Sequence, residues 1–283
     1  MPIVRLPDRA LITVSGPDAE HLLQNIVTTD LDSLKQGEVK PGALLTPQGK
    51  IMFDFLVSRT ANGALQLDLR KAAASDLAKR LMLYRLRAKA EIETQDQPDI
   101  VVAFDNESSA SKTDSTANWL IDTRFSGSRV RRAYASGLEA TATVADWNRT
   151  RIRHGVAESG DDYALGDAFP HDVLLDQNGG VGFKKGCYVG QEVVSRMQHR
   201  GTARRRVLIV ETQGVLPAPG TPITAGGREI GTLGSVEGGA ALAIARIDKV
   251  KDAMDRSEPI FAGEAEIALR LPDWVTFSFP EAN

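Results

Sequence analysis

Lys184-Lys185-Gly186-Cys187-Tyr188-Val189-Gly190-Gln191-Glu192 holds the only cysteine of a 283-residue chain, set between two glycines and directly ahead of a helix-like run. From Gly190 onward, Val193, Val194 and Met197 fall at helical spacing, and Arg196, His199, Arg200 and Gly201 read as a last turn with its terminating glycine. Cys187 is thereby expected beside a helix N-terminus, where unpaired N–H groups and the charges of Lys184 and Lys185 favour a thiolate. A plainer reading competes: free cysteine is among the residues most often buried, and in a tight turn it can serve as a small hydrophobe. A Cys-His nucleophile pair with His199 as base is a third, but nothing in the sequence supplies a group to orient that imidazole.

Working outward, residues 10–14 read as a strand, and Gly16-Pro17-Asp18 opens a helix with Leu22, Leu23 and Ile26 on one face and proline at its first position. Two strands are expected around the turn Pro47-Gln48-Gly49-Lys50, framing Asp54, and another over 65–69 after Asn62-Gly63. Leu77, Leu81 and Tyr84 mark a helix over 72–86, and 88–93 returns as a strand. Strand-like runs at 100–104, 119–122 and 130–134 are interrupted by a polar stretch, 106–118, that reads as an exposed loop. Residues 144–154 look helical. Residues 155–182 carry six glycines with little periodicity, as in a long functional loop, and Phe169, Leu174, Leu175, Val181 and Phe183 are frequent enough to anchor it. Beyond Ala203 the texture changes to short β-rich runs, 207–211, 229–233, 240–247 and 265–271, punctuated by Pro217-Ala218-Pro219-Gly220, Gly226-Gly227 and Gly238-Gly239. That pattern predicts a small β-barrel.

The run KGCYVGQE, followed by Arg196 and Arg200-Gly201, resembles the signature of the YgfZ family, folate-binding proteins of iron-sulfur protein maturation related to the glycine-cleavage T protein, a tetrahydrofolate-dependent aminomethyltransferase. The resemblance extends over nearly the whole chain. Asn25-Ile26-Val27-Thr28-Thr29-Asp30, Leu44-Leu45-Thr46-Pro47-Gln48-Gly49-Lys50 and Asp54 follow the family order, and Arg151-Ile152 with Gly155, then Phe169-Pro170-His171-Asp172, resemble its approach to the folate pocket. The resemblance implies an α+β, multidomain T-protein-like folate-binding fold with a C-terminal β-barrel. The domains expected are 1–202, with two subdomains split near 96–100, and 203–283. Two departures bear on function. Where the transferase resembles adjacent aspartates after the glycine turn, this chain has Phe53-Asp54, and a phenyl ring can neither take a proton nor stabilise a cation by charge. Where the transferase resembles KG-Asp, this chain has Cys187.

The implied role is a tetrahydrofolate-binding accessory protein in assembly or repair of iron-sulfur enzymes, with Cys187 as functional thiol. The alternatives are a folate-dependent aminomethyl or one-carbon transferase, and a folate-binding module without turnover. Glycine-cleavage aminomethyltransferase activity is not expected. Asp54 and Asp172 are the carboxylates for a pterin, whose amide and amine sit side by side and suit one two-oxygen acceptor; surface acids or loop caps are the ordinary alternative. Lys185 and Arg196 suit the anionic glutamate tail. The basic run Arg196, His199, Arg200, Arg204, Arg205 and Arg206 lacks interleaved aromatic rings, which weighs against an RNA patch.

Net charge is -3, so the whole chain does not read as a nucleic-acid binder. One cysteine excludes an internal disulfide framework, and a [4Fe-4S] cluster ordinarily takes about four thiolates. The four histidines show no paired ligand spacing, so no resident metal is expected. Residues 1–15 lack an apolar signal core and no apolar run is long enough to cross a bilayer. The expectation is a cytoplasmic protein whose partners are folate and iron-sulfur assembly proteins or client enzymes, with no membrane partner.

Overall fold

The computed structural model describes residues 1–95, 98–105, 118–127, 129–135 and 137–280. Residues 106–117 of the loop expected at 106–118 and part of the expected subdomain split near 96–100 lie outside the described residues. The elements run in the order β1 (Ile3–Arg5), β2 (Arg9–Ser15), α1 (Ala19–Gln24), β3 (Glu38–Leu45), β4 (Ile51–Arg59), β5 (Leu65–Arg70), α2 (Lys71–Arg85) and β6 (Glu91–Gln95). Then come β7 (Ile100–Ala103), β8 (Leu120–Asp122), β9 (Arg131–Tyr134), α3 (Val144–Arg153) and α4 (Gln191–Arg200). The remainder is β10 (Arg205–Glu211), β11 (Pro222–Ala225), β12 (Arg228–Glu237), β13 (Ala240–Arg246), α5 (Ile247–Asp255), β14 (Ile260–Ala262) and β15 (Ala265–Arg270). The chain divides into two compact units, one of Met1–Trp147 with Asn178–Gln191 and one of Asn148–Gln177 with Glu192–Asn283.

The first unit is built on a nine-stranded sheet in the order β1-β7-β9-β8-β3-β4-β5-β2-β6. Strand alternation decides what each face carries. In β4, Phe55 and Val57 enter a core with Ile12, Leu67, Leu77 and Leu81, and Phe53 packs against it. Leu56 points the other way, to a small cluster with Val39 and Leu120, so Asp54 shares that opposite face. Helix α2 closes the larger core with Ala74, Leu77 and Leu81, a three-and-four spacing that puts all three on one stripe. Helix α1 starts later than expected: Asp18 is its N-cap, which leaves Pro17 outside the helix. Strand β6 likewise begins at Glu91.

In the second unit six strands close a barrel in the order β10-β13-β12-β11-β14-β15. Leu208, Val210, Leu233, Ala241, Ala243, Ala245, Ile267 and Leu269 fill it. Strand β13 ends at Arg246, and the chain turns directly into α5, whose Ile247, Val250 and Ala253 are buried on the barrel core. That helix, together with the short strands β11 and β14, is additional to the sequence reading.

Candidate functional site

The 182–190 segment of the first unit is fixed by main-chain approach. The hydroxyl of Thr28, buried, donates to Gly180 O at 2.6 Å and accepts Ala43 N–H at 2.9 Å; Gly182 N donates to Thr28 O at 2.8 Å. A Cβ on Gly182 would lie 2.8 Å from Asp30 Cβ and 2.9 Å from Lys185 Cδ, so this position has no room for a larger residue. At the other end Gly190, at φ +80°, abuts the hairpin turn; a Cβ there would sit 2.6 Å from Thr46 O. The turn is the one predicted around Gly49, closed by Gly49 N to Thr46 O at 2.9 Å and Thr46 N to Lys50 O at 2.8 Å.

Between these fixed ends, Lys185 and Tyr188 point inward and Cys187 is exposed. Lys185 Nζ donates to Val27 O at 2.7 Å and Thr29 O at 2.8 Å, and lies 5.3 Å from the centroid of the Tyr188 ring. Burial lowers its pKa to about 8 against the opposing pull of Asp30 and Asp32. An ammonium has three donors, so one remains for a ligand. Tyr188 is buried, its hydroxyl has no hydrogen-bond partner among the described residues, and burial pushes its pKa up to about 12. Exposure of the thiol disposes of the buried-hydrophobe alternative for Cys187. Helix α4 begins at Gln191, four residues on, with Gln191 N donating to Tyr188 O at 3.2 Å. Asp54 also belongs to this unit, half-buried in mid-β4 opposite Ala43.

Asp172 and Arg196 belong to the second unit. Arg196 is exposed and pairs with Glu192 one turn away at 3.4 Å. Asp172 is buried, 2% exposed; its Oδ2 accepts Phe169 N–H at 3.1 Å and its carbonyl accepts Val207 N–H at 2.9 Å. Burial raises its pKa to about 6, offset in part by the Phe169 N–H and by Arg205 and Arg206. The Phe169 bond is the loop cap weighed from the sequence, but it occupies one oxygen of a carboxylate that can accept several bonds. Beside it, His171 Nε2 meets Gln198 Oε1 at 3.1 Å, and burial lowers the imidazole pKa.

Arg151 holds the start of the 155–177 segment. Completely buried, it donates to Asp162 Oδ2 at 2.6 Å, Ser235 Oγ at 2.6 Å and Val156 O at 3.3 Å, while Asp162 also accepts the N–H groups of Glu158 and Ser235, both at 2.8 Å. The basic run resolves largely into ion pairs: Arg204 with Asp248 at 3.8 Å, Arg205 with Asp167 at 3.5 Å and Arg206 with Asp176 at 2.7 Å. Sequence reading did not single out Asp162, Asp176, Ser235 or Thr28 as members of the site. A threonine beside a second threonine and three scattered polar side chains give no local signal of their partners.

Fold and site together define a glycine-cleavage T-protein-like scaffold with a cysteine loop and an appended barrel. Residues 9–102 match the model of the GCVT N-terminal domain, and residues 204–277 match that of the CAF17 C-terminal beta-barrel domain. A solved aminomethyltransferase T of the glycine cleavage system from Bartonella henselae superposes with a TM-score of 0.72, covering 96% of this chain and 86% of that one at 16% identity.

The chain belongs to the YgfZ/IBA57 family. It is 30% identical to the mitochondrial iron-sulfur cluster assembly factor IBA57 homolog of Pyricularia oryzae, over 92% of this chain and 75% of the relative. It is 28% identical to the tRNA-modifying protein YgfZ of Aliivibrio fischeri, over 74% and 70% respectively. The match to the Chaetomium globosum IBA57 homolog is 31% identical over 73% of this chain, but spans only 55% of that relative. The cytoplasmic expectation is overturned here, because the IBA57 relatives are mitochondrial proteins by name. A missing apolar core in residues 1–15 bears only on secretory signals; mitochondrial targeting segments are amphipathic and arginine-rich.

Proposed function

We propose that this protein binds tetrahydrofolate and serves as an accessory factor in the assembly or repair of iron-sulfur enzymes, with Cys187 as its functional thiol. The observation that carries the reading is an exposed thiol on a loop whose flanking residues are locked by Thr28, Gly182, Lys185 and Gly190. Such a thiol is accessible to a partner while its position is set beforehand. A single cysteine cannot by itself hold a cluster that takes about four thiolates, so the thiol acts through a shared or transient site, a partner protein, an external thiol or folate-linked repair chemistry. The relatives named as iron-sulfur cluster assembly factors support the same direction.

For folate, the donor set fits the ligand. Asp172, in the second unit, is a buried carboxylate with spare acceptor capacity for the adjacent amide and amine of a pterin, and Asp54, in the first unit, is the other carboxylate proposed for folate. Lys185, with one uncommitted donor, and the exposed Arg196 suit the glutamate tail. Folate, when bound, supplies the one-carbon carrier; the chain supplies binding, orientation and the thiol. Calorimetry with tetrahydrofolate tests this. Wild type binds and Asp172→Ala binds more weakly; equal affinity removes Asp172 from the site, and no wild-type binding removes folate.

Aminomethyl transfer of the glycine-cleavage type is not part of this role. Phe53, which packs against the sheet core, stands in the sequence where the resemblance to the transferase implies an aspartate. Purified protein given the aminomethylated lipoyl carrier and tetrahydrofolate should release little ammonia; sustained turnover would restore the transferase reading.

A further inference from the structure

Between α3 and α4, residues 155–177 of the second unit contain no helix or strand, yet Val173, Leu174 and Leu175 are buried there together with His171 and Asp172. Ordering that much irregular chain costs conformational entropy, so something must hold it. Arg151 holds its beginning. A segment distant in sequence, residues 272–277, which follow β15, meets both of its ends.

The two segments meet at successive points. Pro272 packs so closely on Gly155 that a Cβ there would lie 2.4 Å from Pro272 Cγ. Trp274 Nε1 donates to His154 O at 2.6 Å. Thr276 donates through its N–H, at 3.0 Å, and its hydroxyl, at 2.8 Å, to Gln177 Oε1. Phe277 lies against the guanidinium of Arg206, whose Cζ is 4.4 Å from the ring centroid.

Arg206 is the intermediary. Only 7% exposed, it gives Nη1 to His171 O and to Asp176 Oδ1, both at 2.7 Å, so it grips the chain on either side of Asp172. The next residue, Val207, gives its N–H to Asp172 O at 2.9 Å. Arg206 Nε is buried without a hydrogen-bond partner among the described residues, and the face of Phe277 is what the cation has instead. The one hydrogen bond shown at the Asp172 carboxylate comes from its own loop, so the direction of the side chain is inherited from the main chain that Arg206 grips.

We propose that residues 272–277 form a strap that positions Asp172 for its ligand, acting through Phe277 on Arg206 and through Thr276 on Gln177. The inference rests on reading Asp172 as a ligand-binding carboxylate. Arg206 and Phe277 are positioning residues in it and need not touch the ligand.

The test uses the full chain, with Phe277→Ala, Phe277→Tyr and Trp274→Phe. Three quantities are measured: melting temperature, tetrahydrofolate affinity by calorimetry, and the carboxyl-carbon NMR titration of Asp172, assigned with Asp172→Asn. Phe277→Ala should bring the Asp172 midpoint down from about 6 as burial is lost, and weaken tetrahydrofolate binding about tenfold. Phe277→Tyr keeps the ring and should keep both values. If Phe277→Ala does not fold, Trp274→Phe, which removes one N–H and retains an aromatic ring, should move the same two readings in the same direction by less. A lowered melting temperature with an unmoved Asp172 midpoint overturns the strap. Should wild type fail to bind tetrahydrofolate, the folate reading falls, and the Asp172 titration still decides whether the strap positions it.

Discussion

The loop that carries Cys187 and the loop that carries Asp172 both hold a proposed functional side chain on irregular backbone, and they are fixed by different means. Around Cys187 the work is done by small residues and main-chain atoms: Gly182 and Gly190 have no room for a Cβ, and Lys185 is tied to two carbonyls. Around Asp172 it is done by large buried side chains, with Arg151 and Arg206 each bridging carboxylate, carbonyl or hydroxyl. The first arrangement leaves its side chain exposed to solvent; the second buries a carboxylate and raises its pKa. A loop meant to meet a partner needs its outer face free, whereas a loop that binds a small ligand gains from a low-dielectric setting that strengthens each hydrogen bond.

Breaking the buried-side-chain arrangement should cost most. Arg151→Ala leaves the buried Asp162 carboxylate without its guanidinium partner, a change worth about 3–5 kcal/mol in comparable cases, so denaturant unfolding should show a large loss of stability. The main-chain arrangement is broken by Gly190→Ala, which combines a φ of +80° with a Cβ 2.6 Å from Thr46 O. That should cost roughly 2 kcal/mol and alter the alkylation rate of Cys187, since the strain falls on its own loop.

The pH dependence of ligand binding sharpens the contrast. Asp172 becomes neutral as pH falls through about 6, facing Arg205 and Arg206 from β10 and Asp167 from its own loop. Tetrahydrofolate affinity should therefore fall below that point, approaching about tenfold per pH unit, and Asp172→Asn should flatten this part of the profile. Because the folded pKa lies above the ordinary carboxylate value, this group favours the native state as pH falls through the same range. Weakened binding at pH 5 would thus not be explained by Asp172 driving unfolding, and a melting curve at each pH checks that. The smallest stability effect is expected for Cys187→Ala, about 1 kcal/mol or less, because an exposed thiol gives up little packing.

The same contrast decides what could be read beforehand. The KGCYVGQE loop and the Pro47-Gln48-Gly49-Lys50 hairpin announce themselves because glycine chemistry is local: Gly190 and Gly49 both stand at a positive φ that their own backbone needs. Helix α2 is legible from Leu77 and Leu81 for the same reason of short range. The polar network around Asp172 is not. Arg206 meets Asp176 across 30 residues, Arg151 meets Ser235 across 84, and Thr276 meets Gln177 across 99. No spacing rule connects such pairs. Helix α5 is not legible because it follows β13 with no intervening turn residue, and its N-cap, Arg246, makes no side-chain cap hydrogen bond. The expected role of Lys185 toward a ligand rested on its charge; the two carbonyls it also serves lie more than 150 residues away.

The central claim is that an exposed, pre-positioned thiol at Cys187 performs the function. The direct measurement is the activity of an iron-sulfur enzyme in cells lacking the native protein, supplied with wild type or with Cys187→Ala after the two are shown to match in melting temperature and tetrahydrofolate affinity. The account predicts rescue by wild type and none by Cys187→Ala. Full rescue by Cys187→Ala would contradict it.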